Sequence, residues 1–381
     1  MIPYGRQNIT PEDLESVRSV LTCDYLTQGP KISEFEDSLA KKMGSRFAVV
    51  FNSGTAALHA AYFSLGISVG DEVITSPITF AATSNAALYL GAKPVFGDVD
   101  PKTGNLDLET LEGLITPHTK VLTPVHYAGL PVDMERIHAI AKKYHLKVVE
   151  DACHAIGSSF SENATGSCQY SDLTIFSFHP VKHITTGEGG AVLTNNEDLY
   201  NQMILFRSHG ITRDHFDHEP DGPWYYEMQA LGYNYRMTDI QAALGISQLS
   251  RLDANVKRRR EIAALYTHLF EGNPYFDVQS QPQKSLSSYH LFPLLLRSEM
   301  APHKKNLFLK LKEKGIGCQV HYLPVPAQPY YQKLGYSPHS HPHAMAFYRS
   351  EISIPMFPEL SEQQVHFVSV TVLNLCQTIL G

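Results

Sequence analysis

Short apolar stretches alternate with longer amphipathic or alanine-rich stretches along the first two-thirds of the chain, from about residue 10 to residue 245. The apolar runs predict strands at Ala48 to Phe51, Glu72 to Ser76, Pro94 to Asp98, Val121 to Val125, Lys147 to Glu150, Leu173 to Ser177 and Ala191 to Thr194. The intervening stretches predict helices at Ala56 to Leu65, Ala81 to Leu90 and Asp133 to Tyr144. Strands separated by helices of this length predict a mainly parallel sheet with helices on both faces.

The pattern changes after about residue 245, where fewer strands are expected. The elements predicted there are a helix at Asp253 to Phe270, a Pro- and Gln-rich connection at Asn273 to Gln283, a strand at His290 to Leu296, a helix at Lys304 to Lys314, a strand at Gly317 to Tyr322 and a helix at Glu362 to Ile379. A chain of 381 residues exceeds what one hydrophobic core usually holds. We therefore predict an α/β protein with a large domain at residues 1–250 and a smaller α+β domain at residues 251–381.

Charge and cysteine content narrow the class of protein. The formal net charge is −7, and the one dense basic run, Lys257 to Arg260, is expected to form a solvated helix face. We therefore expect neither nucleic-acid binding nor, without a long apolar run, a membrane-spanning segment. The five cysteines include no C-x-x-C pair, and the first fourteen residues lack a signal-peptide pattern, which favours a cytoplasmic protein with reduced thiols.

A lysine with unusual surroundings follows one of the predicted strands. Lys182 lies in the stretch Ser177 to Gly190, in a turn between a buried strand and a Gly-rich bend. Lysine is rarely buried without a purpose, and a lysine in such a site can form a Schiff base with an aldehyde cofactor. Taken alone, the same residue could equally be an ordinary surface lysine.

An acidic residue stands at the end of the strand Lys147 to Glu150. Asp151 opens the stretch Asp151 to Gly157, and in parallel sheets ligands collect at the carboxyl ends of strands. Pyridoxal phosphate (PLP) needs a carboxylate beside its ring nitrogen, because the anion keeps that nitrogen protonated and the ring able to accept electrons. The alternative is that Asp151 only caps a following helix.

The stretch Asn52 to Leu58 also links a strand to a helix. The free backbone N–H groups and the helix dipole at such a point favour an anion, although Ser53 or Thr55 could equally be a simple N-cap. The stretch is not a P-loop, since no G-x-x-x-x-G-K motif occurs, and no G-x-G-x-x-G dinucleotide motif occurs either.

Each of these motifs is weak alone, but their order along the chain is demanding. A strand-Ser-Gly-Thr-helix site precedes an aromatic residue after Thr79, then a strand ending at Asp151, then the Lys182 motif. In this order, and with a further match at Gly232 to Gly245, almost the whole chain resembles the DegT/StrS family of fold-type I, PLP-dependent sugar aminotransferases.

The resemblance implies a role for individual residues. Lys182 would be the catalytic residue that forms the Schiff base with PLP and then moves the proton, and Asp151 would pair with the ring nitrogen. His154 would lie near the ring hydroxyl, and Phe80 would stack on the ring. The phosphate would be held by Thr55, Ala56 and Ser177, with Asn234 reaching it from a second subunit. The resemblance therefore also implies a homodimer with shared active sites.

Within this family the chain most resembles the enzymes of the pseudaminic-acid pathway. The segments that carry this likeness are Leu26 to Gly29, Phe206 to Gly210, Asn273 to Phe276 and Gly315 to Tyr322. The implied substrates are L-glutamate and a UDP-linked 4-keto-6-deoxy-N-acetylhexosamine, aminated at C4. The implied substrate contacts are Tyr4, Asp24, Tyr25, Leu26, Thr27, Gly54, His321 and Tyr322. Many family members carry a sugar-contacting histidine where this chain has Pro326. The contact made by that histidine is therefore not carried over to this chain.

Other interpretations are open at this point. The substrate could be another UDP-, GDP- or dTDP-linked keto sugar. A dehydratase of the same fold is disfavoured, because dehydratase relatives carry another residue, commonly histidine, at the position of Lys182. A non-catalytic regulator or sugar sensor would be expected to lose Asp151 or Lys182. No metal site is predicted, since His339, His341 and His343 are expected to alternate in a solvated loop. The long loop 213–226 could be an active-site flap or an oligomer contact.

Overall fold

The computed structural model describes residues 1–381 and contains twelve α-helices. The helices are α1 (Pro11–Leu21), α2 (Pro30–Met43), α3 (Gly54–Ser64), α4 (Ala82–Tyr89), α5 (Met134–Tyr144), α6 (Glu197–Arg207), α7 (Asp239–Ser250), α8 (Leu252–Leu269), α9 (Lys304–Glu313), α10 (Pro329–Lys333), α11 (Pro342–Ser350) and α12 (Glu362–Leu380). None of them is both long and apolar enough to traverse a lipid bilayer.

Fifteen strands form four sheets. The strands are β1 (Phe47–Phe51), β2 (Glu72–Thr75), β3 (Lys93–Phe96), β4 (Thr119–Thr123), β5 (Lys147–Asp151), β6 (Ser159–Phe160), β7 (Asn163–Ala164), β8 (Leu173–Ser177), β9 (Gly190–Thr194), β10 (Ile211–Thr212), β11 (Glu227–Met228), β12 (Phe276–Val278), β13 (Ser285–Leu286), β14 (Phe292–Leu296) and β15 (Glu351–Ile354).

The central sheet has seven strands in the order β1-β9-β8-β5-β4-β2-β3. Only β9 runs antiparallel to its neighbours, so the predicted mainly parallel sheet is confirmed. Because β9 is antiparallel to both β1 and β8, those two strands point the same way as β5. The carboxyl ends of β1, β5 and β8 therefore lie along one edge of the sheet, which is where ligands bind in folds of this type.

Helices cover both faces of this sheet, as predicted from the alternating pattern. Val49 packs into an apolar cluster with α3 and α6, while its neighbour Val50 packs on the opposite face against α2 and α7. Successive side chains of a strand point to opposite faces, so a strand that is apolar at every position must be covered twice. The sheet is thereby fixed rigidly beneath the edge that carries the polar residues.

The carboxyl-terminal part builds its own apolar cluster around a three-stranded antiparallel sheet with the order β12-β14-β15. Helices α8, α9 and α12 contribute to this cluster, and Ile2 packs against it from the other end of the chain. Arg251 separates α7 from α8, close to the predicted boundary after residue 250. The division into domains at residues 1–250 and 251–381 stays a prediction.

Three local predictions in this region are wrong, wholly or at one residue. Gly317 to Tyr322 is not a strand, since only Gln319 bridges to β15, at Ser353. The backbone N–H of His321 goes instead to a side chain, the Glu351 carboxylate, at 2.8 Å. The ladder therefore stops after one bridge.

The expectation of a solvated loop for the histidine-rich segment is wrong at His341, which is buried. Residues 338–340 form a short 3-10 turn, and Pro342 begins helix α11, because proline suits the first turn of a helix. Across the chain, no group of three or more His, Cys, Asp or Glu side chains is placed to hold a metal ion.

The expected solvated face of the basic run Lys257 to Arg260 is wrong for one residue. Arg259 is 1% exposed and donates from Nη1 to the carbonyls of Tyr289, His290 and Met356 at 3.1, 3.3 and 3.0 Å. Lys257 is exposed, as expected. Arg259 is thus an interior tie between α8 and the segments that flank β14 and β15.

Candidate active site

Three backbone junctions meet at the carboxyl edge of the central sheet. Strand β5 ends at Asp151, strand β8 ends at Ser177, and strand β1 leads through Asn52 and Ser53 into α3. Strands β5 and β8 are hydrogen-bonded neighbours, so the sheet itself brings Asp151 beside the chain that leads to Lys182. The three motifs that the sequence placed far apart are therefore close together in space.

Asp151 is a buried carboxylate with part of its acceptor capacity free. Its Oδ2 accepts from the Thr83 hydroxyl at 2.6 Å, and its Oδ1 accepts from the Cys153 backbone N–H at 3.1 Å. An ionised carboxylate offers about four lone-pair positions, so further donors can bind. No helix follows β5 directly, so the alternative that Asp151 is only a helix cap is wrong.

Lys182 is half-buried at the end of the turn after β8, where its backbone N–H bonds to the His179 carbonyl at 2.9 Å. Its amine donates no hydrogen bond to any other side chain or carbonyl of the chain. Desolvation lowers the pKa of this amine, although the nearby Cys153 and Asp151 act in the opposite direction. At a given pH, a larger fraction of the Lys182 amine is therefore neutral and nucleophilic than for an ordinary surface lysine.

The start of α3 forms a concave backbone surface against β8. The Ser53 hydroxyl caps the helix by accepting from the Ala56 N–H at 3.1 Å, while the first N–H groups of the helix have no acceptor in an earlier turn. A Cβ on Gly54 would lie 3.1 Å from the Ser177 Cβ, so any larger residue would require the two segments to move apart by a few tenths of an ångström. Backbone donors, the Ser177 side chain and the helix dipole suit a phosphate group.

One wall of the site consists of aromatic rings. The His154 Nε2 lies 3.0 Å from the Tyr322 hydroxyl, and the His154 ring packs against His290 with centroids 4.4 Å apart. Burial, followed by Lys182, His321 and His183, holds the pKa of His154 well below its usual value, so the imidazole is neutral. Its Nδ1 is buried without a partner.

Phe80 closes the wall on the solvent side. Its ring is 65% exposed and lies 6.4 Å from the Tyr322 ring. A large apolar side chain left this open beside buried polar groups is free to stack on a flat ligand. The set therefore fits PLP: a helix start for the phosphate, a carboxylate for the ring nitrogen, an amine for the aldehyde and an aromatic face for the ring.

Among the predicted substrate contacts, Tyr4, His321 and Tyr322 come together at this site. The rings of Tyr4 and His321 are 5.6 Å apart, and those of His321 and Tyr322 are 4.9 Å apart. The bond between His321 and Tyr322 is a cis peptide. Gly54, another predicted substrate contact, is the first residue of α3 and lies against Ser177.

Asp24 to Thr27 and Asn234 are placed differently. The carbonyl of Leu26 accepts from the Asp239 N–H at 3.0 Å, and Thr27 bridges to Thr238, so this segment packs at the start of α7. The Asn234 side chain is exposed. No hydrogen bond or ring contact within the chain joins any of these residues to Lys182, Asp151 or His154.

The structure adds residues that the motifs did not indicate. Thr83, one helical turn after Phe80, holds the Asp151 carboxylate and itself contacts the Thr79 hydroxyl at 2.7 Å. The spacing from Phe80 was the only available signal. His183 and His290 lie behind His154, and nothing in the sequence near residue 290 indicated this.

The loop 213–226 is organised by one acidic residue of β11. Glu227 accepts from the backbone N–H groups of Asp217 and His218 at 2.7 and 2.8 Å, and from the Tyr225 hydroxyl at 2.8 Å. Trp224 remains 68% exposed. The role of this loop as a flap or an oligomer contact stays a prediction.

Comparisons with known proteins identify the family of this chain. The family model of the DegT/DnrJ/EryC1/StrS aminotransferases matches residues 7–373. A Campylobacter jejuni protein named UDP-4-amino-4,6-dideoxy-N-acetyl-beta-L-altrosamine transaminase is 41% identical over 382 residues, covering 100% of this chain and 98% of its own.

Solved structures give the same result at the level of the fold. PseC of Helicobacter pylori, an aminotransferase involved in the biosynthesis of pseudoaminic acid, superposes with a TM-score of 0.93 at 36% identity over 99% of both chains. The PLP form of the sugar aminotransferase Spr1654 of Streptococcus pneumoniae superposes with a TM-score of 0.94 at 30% identity over 100% of both chains. This chain therefore belongs to the DegT/DnrJ/EryC1/StrS family and is a PLP-dependent aminotransferase with the fold-type I architecture.

Proposed function

We propose that this enzyme transfers the amino group of L-glutamate to C4 of a UDP-linked 4-keto-6-deoxy-N-acetylhexosamine, the reaction type of pseudaminic-acid biosynthesis. The observation that carries this proposal is the full-length likeness to the Campylobacter jejuni transaminase at 41% identity. Full coverage of both chains matters because the substrate contacts are spread from Tyr4 to Tyr322.

Within the site, each residue receives a defined task. Thr55, Ala56 and Ser177 would hold the phosphate of PLP, Asp151 would pair with the ring nitrogen, His154 would lie beside the ring hydroxyl and Phe80 would stack on the ring face. When bound, PLP supplies the electron sink that stabilises negative charge at the reacting carbon. The chain's own contribution is to orient this group and to move protons at the carbon that gains or loses nitrogen.

Lys182 performs the proton transfer. Lys182 would be the covalent anchor of bound PLP, and as a free amine it would act as general base and general acid at the reacting carbon. Its lowered pKa suits both tasks, because a larger fraction of the amine is neutral near neutral pH. Amino donor and keto sugar use the same site in turn, so we expect ping-pong kinetics.

Sugar recognition is assigned to two groups of residues. Tyr4, Gly54, His321 and Tyr322 contact the sugar from the chain that carries Lys182. Asp24, Tyr25, Leu26, Thr27 and the PLP contact Asn234 are proposed to act in the site of a second subunit, since in one chain they pack near α7. The active unit is thus a homodimer. We place it in the cytoplasm, which the five free cysteines support.

The experiment is to incubate the PLP-loaded enzyme with glutamate and UDP-, GDP- and dTDP-linked 4-keto sugars separately. We expect 2-oxoglutarate release and an amino-sugar product only, or fastest, with the UDP-linked N-acetylated sugar. Faster amination of a GDP- or dTDP-linked sugar would overturn the proposed substrate and favour the alternative within the family.

Two variants test the assignment of the lysine. Lys182→Ala is expected to lose the near-visible absorbance of bound PLP and to lower kcat by at least about a thousandfold. Lys147→Ala removes an exposed lysine paired with Asp172 and should change neither quantity. Retained absorbance and turnover in Lys182→Ala would show that another residue is the anchor.

A further inference from the structure

A fully buried carboxylate lies behind the His321 and Tyr322 wall of the active site. Glu351, the first residue of β15, is 0% exposed. No arginine contacts it, and the cation nearest in effect is Lys304, whose amine is directed to the Tyr348 carbonyl and lies 4.7 Å from the Tyr348 ring centroid. A buried carboxylate without an ion-pair partner is costly, so its hydrogen bonds need an explanation.

The hydrogen bonds of Glu351 connect it to His321 in two ways, directly and through Ser353. The Glu351 Oε2 accepts from the His321 backbone N–H at 2.8 Å, and the Glu351 Oε1 contacts the Ser353 hydroxyl at 2.5 Å. The same Ser353 Oγ lies 2.9 Å from the His321 Nδ1. Carboxylate, hydroxyl and imidazole therefore form one continuous chain of hydrogen bonds.

The single proton of the serine hydroxyl gives this chain a direction. When Glu351 is ionised it can only accept, so Ser353 donates to Glu351 and must accept from His321. The proton of the neutral imidazole is then on Nδ1, and Nε2 carries a lone pair. When Glu351 is protonated it can donate to Ser353, which then donates to Nδ1, and the imidazole proton is on Nε2.

The other imidazole nitrogen of His321, Nε2, is available for a hydrogen bond with a ligand. The His321 Nε2 makes no hydrogen bond within the chain and is not among the buried nitrogen atoms that lack a partner. His321 packs between Tyr4 and Tyr322, two residues of the proposed sugar pocket. A ligand in this pocket would meet either an acceptor or a donor at Nε2.

We propose that Glu351 acts through Ser353 to set which nitrogen of His321 carries the proton, and so whether His321 accepts or donates a hydrogen bond in the sugar pocket. Glu351 is thus a positioning residue that never touches substrate. The part of this proposal that concerns the sugar rests on the proposed function, whereas the relay within the protein does not.

The pKa of Glu351 places the change of the His321 tautomer near neutral pH. Burial raises the pKa of Glu351 to about 7 against the opposing effects of Ser353, the His321 N–H and Lys304. Burial and Lys182 lower the pKa of His321 to about 3, so the imidazole stays neutral and only its tautomer changes. The titratable groups that face Glu351 from neighbouring segments are Lys304, Tyr127, Cys318, His321 and Tyr322.

The relay is tested by ¹⁵N NMR of histidine-labelled enzyme, with the His321 signals identified by their loss in His321→Gln. We expect His321 to change from the Nε2–H to the Nδ1–H tautomer as pH rises, with a midpoint near 7. In Glu351→Gln the amide oxygen must accept from the His321 N–H and the amide NH₂ must donate to Ser353, so His321 should remain Nε2–H at every pH. A wild-type tautomer that does not change with pH would overturn the relay.

Two further variants keep the test independent of folding. Ser353→Ala interrupts the relay but leaves the carboxylate, and should abolish the pH dependence of the tautomer. Glu359→Gln makes the same charge change at an exposed position between β15 and α12 and should leave the pH dependence intact. A transition near pH 7 that persists in Ser353→Ala would show that the serine carries no proton and would overturn the proposal.

Kinetics then test the contact with the sugar. For Glu351→Gln we expect KM for the keto sugar to change by about tenfold, the effect of one mismatched hydrogen bond, with the half-reaction of glutamate nearly unchanged. Equal effects on both half-reactions would overturn the sugar contact. If the wild-type enzyme aminates no UDP-linked sugar at all, the proposed function fails, and the NMR result still decides the relay.

Discussion

Lys182 derives its reactivity from its surroundings. Desolvation lowers the pKa of its amine, and the histidines around it are neutral because burial and the charge of Lys182 lower their pKa values as well. The neighbouring imidazoles therefore add no positive charge that would compete for the Asp151 carboxylate. A single titrating amine next to one carboxylate is what a lysine needs to alternate between anchor and base.

The lowered pKa of Lys182 predicts where it reacts first. In enzyme freed of PLP, an aldehyde followed by borohydride should label Lys182 faster than surface lysines at pH 7. Its labelling rate should also reach a plateau at a lower pH than theirs, because a lowered pKa gives more neutral amine at each pH below 10.5. Peptide mass spectrometry across a pH series measures this. Labelling of Lys182 no earlier than that of exposed Lys147 would contradict it.

At the scale of elements, the position of the aromatic wall depends on a helix outside it. Arg259 of α8 donates to the carbonyls of Tyr289, His290 and Met356, and His290 packs on His154. One planar guanidinium thus fixes the segment before β14 and the segment after β15 to the same helix. Lysine, with a compact ammonium group, could not replace this geometry.

Arg259→Met is therefore expected to destabilise the protein. The substitution leaves two buried carbonyls and one partly buried carbonyl without their donor, which should lower the free energy of unfolding by about 3 kcal/mol. The control is Lys257→Met, at an exposed position of the same helix, for which we expect a change within about 0.5 kcal/mol. Urea unfolding followed by circular dichroism compares them. Equal midpoints for the two variants would show that Arg259 is not an interior tie.

The same residue shows where prediction from sequence stops. The seven strands of the central sheet and the helices α3, α4 and α5 could be predicted because their patterns are local, whereas α2, α6 and α7, which also cover the sheet, are not among the predicted helices. The burial of Arg259 depends on carbonyls that are 30 to 97 residues away in the chain, and no local pattern encodes them. The local pattern of Gly317 to Tyr322 predicts a strand. That pattern cannot show that the Glu351 carboxylate accepts the hydrogen bond of the His321 backbone N–H.

The candidate site follows the same division. Asp151, Lys182 and the start of α3 could be predicted because each lies at the end of a strand or in the segment that follows it, and the sheet brings strand ends together. Glu351 could not, since a glutamate in an apolar strand gives no sign of its partners until β15 is placed behind His321. Sequence patterns thus locate the residues that face the ligand better than the residues that support them.

At the scale of the whole molecule, one chain leaves several large apolar side chains of one short segment open to solvent. Trp224 in the loop 213–226, and Met228 and Leu231 between that loop and the exposed Asn234, are each more than 60% exposed. Exposed apolar residues grouped in this way indicate an interface. A symmetric dimer would cover this surface and would bring Asn234 of one subunit towards the phosphate site of the other.

Mixing two inactive variants tests this arrangement. Lys182→Ala lacks the anchor, and Asn234→Glu places a negative charge where the phosphate should bind. If Asn234 serves the neighbouring subunit, a mixed dimer has one site with both residues intact and one with neither. Random pairing at equal amounts makes half of the dimers mixed, so about a quarter of the wild-type activity should return. Co-expression with two different tags allows the mixed dimers to be isolated and assayed.

The matched control pairs Lys182→Ala with Asp151→Asn, two residues that the central sheet holds together within one chain. Every site of that mixed dimer keeps one defect, so no activity should return whichever way the subunits associate. Recovery with Asn234→Glu but not with Asp151→Asn would require a site built from two chains. No recovery in either mixture would place Asn234 in its own subunit's site, and the exposed surface around Trp224 would then need another partner.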